Sequence, residues 1–191
     1  MTVQAPKDAT GNVKTTAPDG TAFGLGLPQT KSVKGVKAGS GTIVYPNAAD
    51  STDVAVQPTT DGGARTLVTL KDKNAPTEQR FALQMPTGTH LAANDSGGYD
   101  IFQDSGKGST ALRGTISAPW AKDANGKDVA TSYKLEGGTL VQKINTSSTT
   151  AFPVVADPHY TWGIISKKCL KIKSYGKPGE YSGKQGDGYC R

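Results

Sequence analysis

Sulfur, imidazole, glutamate and long apolar runs are all scarce in this chain. Its 191 residues hold two cysteines, two histidines and three glutamates. No run approaches the ~18 apolar residues that a membrane-spanning helix needs. Residues 1–20 have no apolar core of a secretory leader. The two histidines, His90 and His159, lie 69 positions apart with no second histidine or cysteine at ligand spacing, so no metal is expected. Glu78, Glu136 and Glu180 offer no attractive carboxylate pair for glycoside cleavage. No Gly-x-Ser-x-Gly elbow is present. Gly24-Leu25-Gly26 lacks the strand-to-helix setting of a phosphate loop, so no nucleotide cofactor is expected either.

What is plentiful is turn chemistry. Glycine (24) and proline (11) make up about 18% of the chain, against a background of roughly 12%. Only 35% is hydrophobic and 7% aromatic. This balance disfavours a helical bundle and suits an all-β domain with many turns. Short apolar segments recur between turn residues. Phe23, Leu25 and Leu27 alternate with small residues, and Phe81, Leu83 and Met85 share one face. Thr42–Tyr45 stops at Pro46, and Asp53–Gln57 stops at Pro58. Asp61-Gly62-Gly63 reads as a hairpin turn leading into Ala64–Leu70. Segments at 90–93, 99–102 and 111–116 follow, and 132–135 with 139–144 forms a hairpin. The expected fold is a β-sandwich or open barrel of short antiparallel strands. Residues 1–158 form its domain, with 1–40 as a peripheral strand or loop segment.

Charge divides the chain again. Residues 1–158 hold twelve lysines and three arginines against twelve aspartates and two glutamates, a balance of +1. Residues 159–191 hold six lysines and one arginine against Glu180 and Asp187, a balance of +5. Both cysteines, Cys169 and Cys190, lie in that segment, with Tyr160, Trp162, Tyr175, Tyr181 and Tyr189. A disulfide between the cysteines would close a loop of 22 residues counting both ends, worth roughly 3 kcal/mol in loop entropy. Such a bond implies an oxidising compartment, so the protein is expected to be secreted, with its leader removed and Met1 standing in its place. The segment 159–191 is therefore expected to be a basic, aromatic, disulfide-closed appendage.

Within it, Lys167, Lys168, Lys171 and Lys173 interleave with Cys169, Leu170 and Ile172. As a strand, this would put Lys171 and Lys173 on one face and Leu170 and Ile172 on the other. Trp162 has two readings. Its ring packs the appendage onto the body, or it contacts a membrane interface or cell-wall polymer, as amphipathic rings do. Ala118-Pro119-Trp120 reads as a core anchor. Asp95, Asp100 and Asp104 read as solvated hairpin ends, since Ile101-Phe102 interrupts any calcium loop.

Three phrases carry a resemblance. They are Lys73-Asn-Ala-Pro-Thr-Glu-Gln-Arg-Phe81, Ser117-Ala-Pro-Trp-Ala-Lys-Asp-Ala-Asn-Gly126 and Thr150-Ala-Phe-Pro-Val-Val-Ala-Asp-Pro158. In this order, over roughly residues 40–158, they resemble a family of secreted actinobacterial proteins. Those have a β-rich domain ending in a "YPVVADP"-type segment and followed by variable C-terminal segments, some toxin-like. Phe152 stands where that family commonly has tyrosine. Trp162-Gly163 with Lys168–Lys173, and Tyr181 to Arg191, resemble the two ends of one tail type with a Gly/Ala-rich apolar segment between them. Here only Ile164–Lys167 separates them. The resemblance implies export and a β-rich fold, and supplies no catalytic residues.

The expected function is that of an exported, non-enzymatic protein binding an anionic cell-envelope surface, membrane or wall polymer, with an antimicrobial or toxin-like role as one form. The expected contacts are Trp162, Lys167, Lys168, Lys171, Lys173 and Tyr175. Nothing resembles base-specific nucleic-acid recognition. Two alternatives remain open. One is a β-domain carrier for variable tails. The other is a hydrolase using His159 or His90, with Asp157 as orienter.

Overall fold

A computed structural model describes residues 1–28, 31–106, 109–163 and 173–174. Among these there is no α-helix, only a short 3-10 turn at Gly39–Gly41. The strands are β1 (Thr2–Gln4), β2 (Asn12–Thr16), β3 (Ala22–Gly26), β4 (Val36–Lys37), β5 (Ile43–Ala49), β6 (Thr52–Pro58), β7 (Gly63–Leu70), β8 (Glu78–Gln84) and β9 (Thr89–Ala93). They continue with β10 (Tyr99–Gly106), β11 (Ser109–Ile116), β12 (Trp120–Lys122), β13 (Thr131–Glu136), β14 (Thr139–Ile144), β15 (Val154–Asp157), β16 (His159–Trp162) and β17 (Lys173–Ser174).

All pairings are antiparallel and fall into two sheets. One runs β1-β2-β3-β8-β14-β13, and the other runs β4-β5-β6-β7-β16-β11-β10-β9. In the second, β15 pairs with both β12 and β7, and β17 pairs with β11. Neither sheet closes on itself, so the all-β expectation resolves to two open sheets rather than a barrel.

Period-two alternation places the core between the sheets. From β2 and β3 come Val13, Phe23 and Leu25. From β8 and β14 come Phe81, Leu140 and Ile144. From the second sheet come Val54, Val56, Val68, Leu70, Ile116, Tyr160 and Trp162, all fully buried or nearly so. Burying each such side chain contributes about 1.5–3 kcal/mol.

Three expectations are corrected here. Residues 1–26 are not peripheral: β1, β2 and β3 form half of one sheet, and Gly24 and Leu25 pair with Gln84 and Leu83, whereas β4 is an exposed edge strand. Thr42–Tyr45 does not end at Pro46. The strand runs on to Ala49 through an irregularity where its pairing with β6 slips, and Asn47 there takes a φ of 56°. A proline is tolerated at such a break because no ladder donor is required of it.

The third correction matters most. The boundary at 158/159 falls inside the sheet, because β16 lies between β7 and β11, with His159 opposite Arg65 and Ile116 opposite Tyr160. Glycine admits it on both sides. A Cβ on Gly63 would stand 1.8 Å from the Tyr160 carbonyl oxygen, and one on Gly114 would stand 2.2 Å from that of Thr161. The body therefore runs through Trp162.

Candidate functional site

Trp162 lies in the core, not on a surface. Its exposure is 0%, and its ring stacks on Phe23 at 5.8 Å between centroids. The indole N–H donates to the Thr21 carbonyl at 3.3 Å, and the Arg113 guanidinium lies 5.5 Å from the ring centroid. The ring thus has no free face for a membrane or polymer, and what it packs is the body's own core rather than an appendage onto it. Lys173 lies in β17, its backbone opposite Thr110 of β11. Lys167, Lys168, Lys171, Tyr175, Cys169 and Cys190 lie outside the described residues. The cationic face and the disulfide therefore rest on the sequence alone.

His90 stacks on Phe102 with centroids 5.7 Å apart, and its Nδ1 is 3.8 Å from an Asp104 carboxylate oxygen. Asp100 accepts from the Asn94 side-chain amide at 3.1 Å. Asn94 Oδ1 in turn accepts from the N–H groups of Ser96 and Gly98, organising the turn before β10.

The richest cluster surrounds His159, on the face of β16 away from Tyr160. In β16 the residue alternation sends Tyr160 and Trp162 inward and His159 outward. Its Nδ1 is 3.1 Å from Ser117 Oγ. Its Nε2 is 3.2 Å from Asp61 Oδ2 and 3.4 Å from Thr59 Oγ1. The Thr59 hydroxyl donates to the other Asp61 oxygen at 2.6 Å. The Ser117 N–H donates to the His159 carbonyl at 2.9 Å. Three elements thus meet at one imidazole: the β6–β7 turn, the β11–β12 connection and β16.

Asp157 is adjacent but does not orient the histidine. Its carboxylate is 1% exposed and lies 3.0 Å from Arg65 Nε, without the alignment of a good hydrogen bond. Burial pushes its pKa up to about 6, against the opposing pull of Arg65, Trp120 and His159. The expected orienter was Asp157, and the carboxylate on the ring is Asp61. The sequence marked Asp61 only as a turn residue and Ser117 only as part of a phrase. No local spacing joins positions 61, 117 and 159, so sequence pattern had no means of linking them.

Elsewhere several of the body's cations pair with its carboxylates. Lys31 meets Asp50 at 2.7 Å, Lys71 meets Asp53 at 3.1 Å and Lys122 meets Asp128 at 2.7 Å. Arg80 and Lys134 share Glu136 at 2.9 and 3.0 Å, and Arg113 pairs with Asp19. Such exposed pairs add little stability, but they place a counter-charge beside each of these cations.

The class defined by these features is an all-β, two-sheet, sandwich-like body. No family model, curated protein or solved structure matches the chain.

Proposed function

We propose that this chain is an exported protein that binds an anionic cell-envelope surface, lipid or wall polymer, through its basic arm. The observation that supports this is the distribution of charge. The body carries +1, and six of its lysines and arginines, besides Arg65, stand beside a carboxylate. The last 33 residues carry +5 with only two acids among them. Each lysine near an anionic surface contributes about 1 kcal/mol at low screening. Four of them amount to roughly a thousandfold in affinity. A disulfide between Cys169 and Cys190 would hold Lys171, Lys173, Lys177 and Lys184 in one loop, with Lys167 and Lys168 at its base, and lower the entropy lost on binding.

Co-sedimentation of the full chain with anionic vesicles and with isolated cell walls at low salt tests the reading. The comparison is a variant carrying Lys167→Gln, Lys168→Gln, Lys171→Gln and Lys173→Gln. Strong retention of the parent chain and loss in the variant are expected. Equal retention of the two contradicts it.

A carrier role for the body is the second reading. In its favour, among the described residues the last core side chain is Trp162, so the body has its core ring in place before the arm begins. Under that reading, exchange of residues 164–191 for another tail leaves the body's thermal transition in place.

A further inference from the structure

We propose that Ser117, His159 and Asp61 form a reactive line on the β body, in which Ser117 accepts the acyl group of small esters. This goes beyond surface binding and does not depend on the arm. The required signature is a nucleophile within reach of a base that a third group orients. Here the Ser117 hydroxyl meets His159 Nδ1 at 3.1 Å, and His159 Nε2 meets the Asp61 carboxylate at 3.2 Å.

The roles follow from the chemistry of each junction. A carboxylate can only accept, so Asp61 holds the tautomer with its proton on Nε2. That leaves the Nδ1 lone pair facing the serine hydroxyl. Thr59 donates to Asp61 at 2.6 Å and fixes the carboxylate. The Ser117 N–H bond to the His159 carbonyl, 2.9 Å, ties nucleophile and base together through the backbone. The His159 side chain is only 15% exposed, while Ser117 is half-buried in an irregular connection. The charged groups facing the imidazole are Asp61 from the β6–β7 turn, Arg65 from β7 and Asp157 from β15.

The step balances without an oxidant or metal. Ser117 Oγ attacks the ester carbonyl carbon and forms a C–O bond, while the bond to the leaving alcohol breaks. The hydroxyl proton passes to His159 Nδ1 and on to the departing alkoxide. Water then attacks the acyl-serine by the same route, and the carboxylic acid leaves. Asp61 is a positioning residue, since it acts through the ring.

The test uses the full chain and a fluorophosphonate probe, from which an activated serine displaces fluoride. Peptide mapping is expected to place one adduct on Ser117. His159→Gln is expected to slow labelling by about a hundredfold or more, and Asp61→Asn by about tenfold. Each variant is checked by its thermal transition. The unaltered chain decides the matter alone if a variant misfolds. No adduct on Ser117, or adducts spread over other hydroxyl residues at a similar rate, overturns the proposal. An unchanged rate in a folded Asp61→Asn overturns the role of Asp61.

Discussion

Phe23 of β3 and Trp162 of β16 stack across the two sheets, with planes 26° from parallel. Tyr160 adds a second tie between the layers, its ring 4.9 Å from Phe23 and its hydroxyl 3.0 Å from Thr15 Oγ1. The strand that opens the charged segment is thus a structural member of the body. Trp162→Ala is expected to cost about 3–5 kcal/mol, read as a lowered urea midpoint with little change in slope. An interfacial tryptophan would show no such cost. For the same reason, a chain ending at residue 158 is expected to lose the cooperative transition that a chain ending at 163 retains.

Gly63 and Gly114 flank β16 at contact distances that exclude any side chain. Gly63→Ala or Gly114→Ala must displace the strand, and each is expected to lower stability by several kcal/mol, toward the severe end of single substitutions. Gly137, at φ 51° with open space around it, provides the control. There, Gly137→Ala carries only backbone strain of about 1 kcal/mol. Thermal melts of the three variants separate the two causes.

Asp157 sets the pH dependence of stability. Its folded pKa of about 6 lies above the ordinary 3.8, so the folded state holds the proton more tightly than the unfolded one. Stability therefore falls as pH rises from about 4 to about 6, by no more than about 3 kcal/mol. Carboxylates held low act in the opposite sense at lower pH. Asp19 is brought down to about 2 by Thr21 and Arg113, and Asp50 is lowered by Lys31. Their stabilising effect is lost as pH falls below about 4. Urea unfolding across this range is expected to show a maximum near pH 4 to 5. In Asp157→Asn the decline above that maximum should vanish, and its persistence would assign the slope elsewhere.

Much of the fold was legible because its cause is local. Asp61-Gly62-Gly63 and Gly137-Gly138 mark hairpins by turn chemistry, and the alternation in Thr52–Pro58 and Gly63–Leu70 marks half-buried strands. The segments Val154–Asp157 and His159–Trp162 escaped because each is only four residues long and Pro158 separates them. Neither shows enough alternation to be distinguished from a loop. Composition then drew a boundary at 158, since Trp162 and Tyr160 were grouped with the basic segment they precede. The roles of Ser117 and Asp61 were illegible for another reason: residues brought together only by tertiary pairing leave no spacing to read.

The cysteines provide a separate check. A bond between Cys169 and Cys190 predicts an intact-mass increase of about 2 Da on reduction, the two hydrogens gained. Alkylation of both thiols without reductant would show the loop to be open, and would remove the argument from oxidising compartments to export.

Binding to anionic vesicles as a function of salt tests the central claim most directly, because screening acts on exposed charge and spares packing. From about 50 mM to about 500 mM salt, affinity is expected to fall steeply for the full chain and weakly for the variant with four lysines replaced by glutamine. Equal salt dependence of the two proteins would contradict a cationic arm as the binding element.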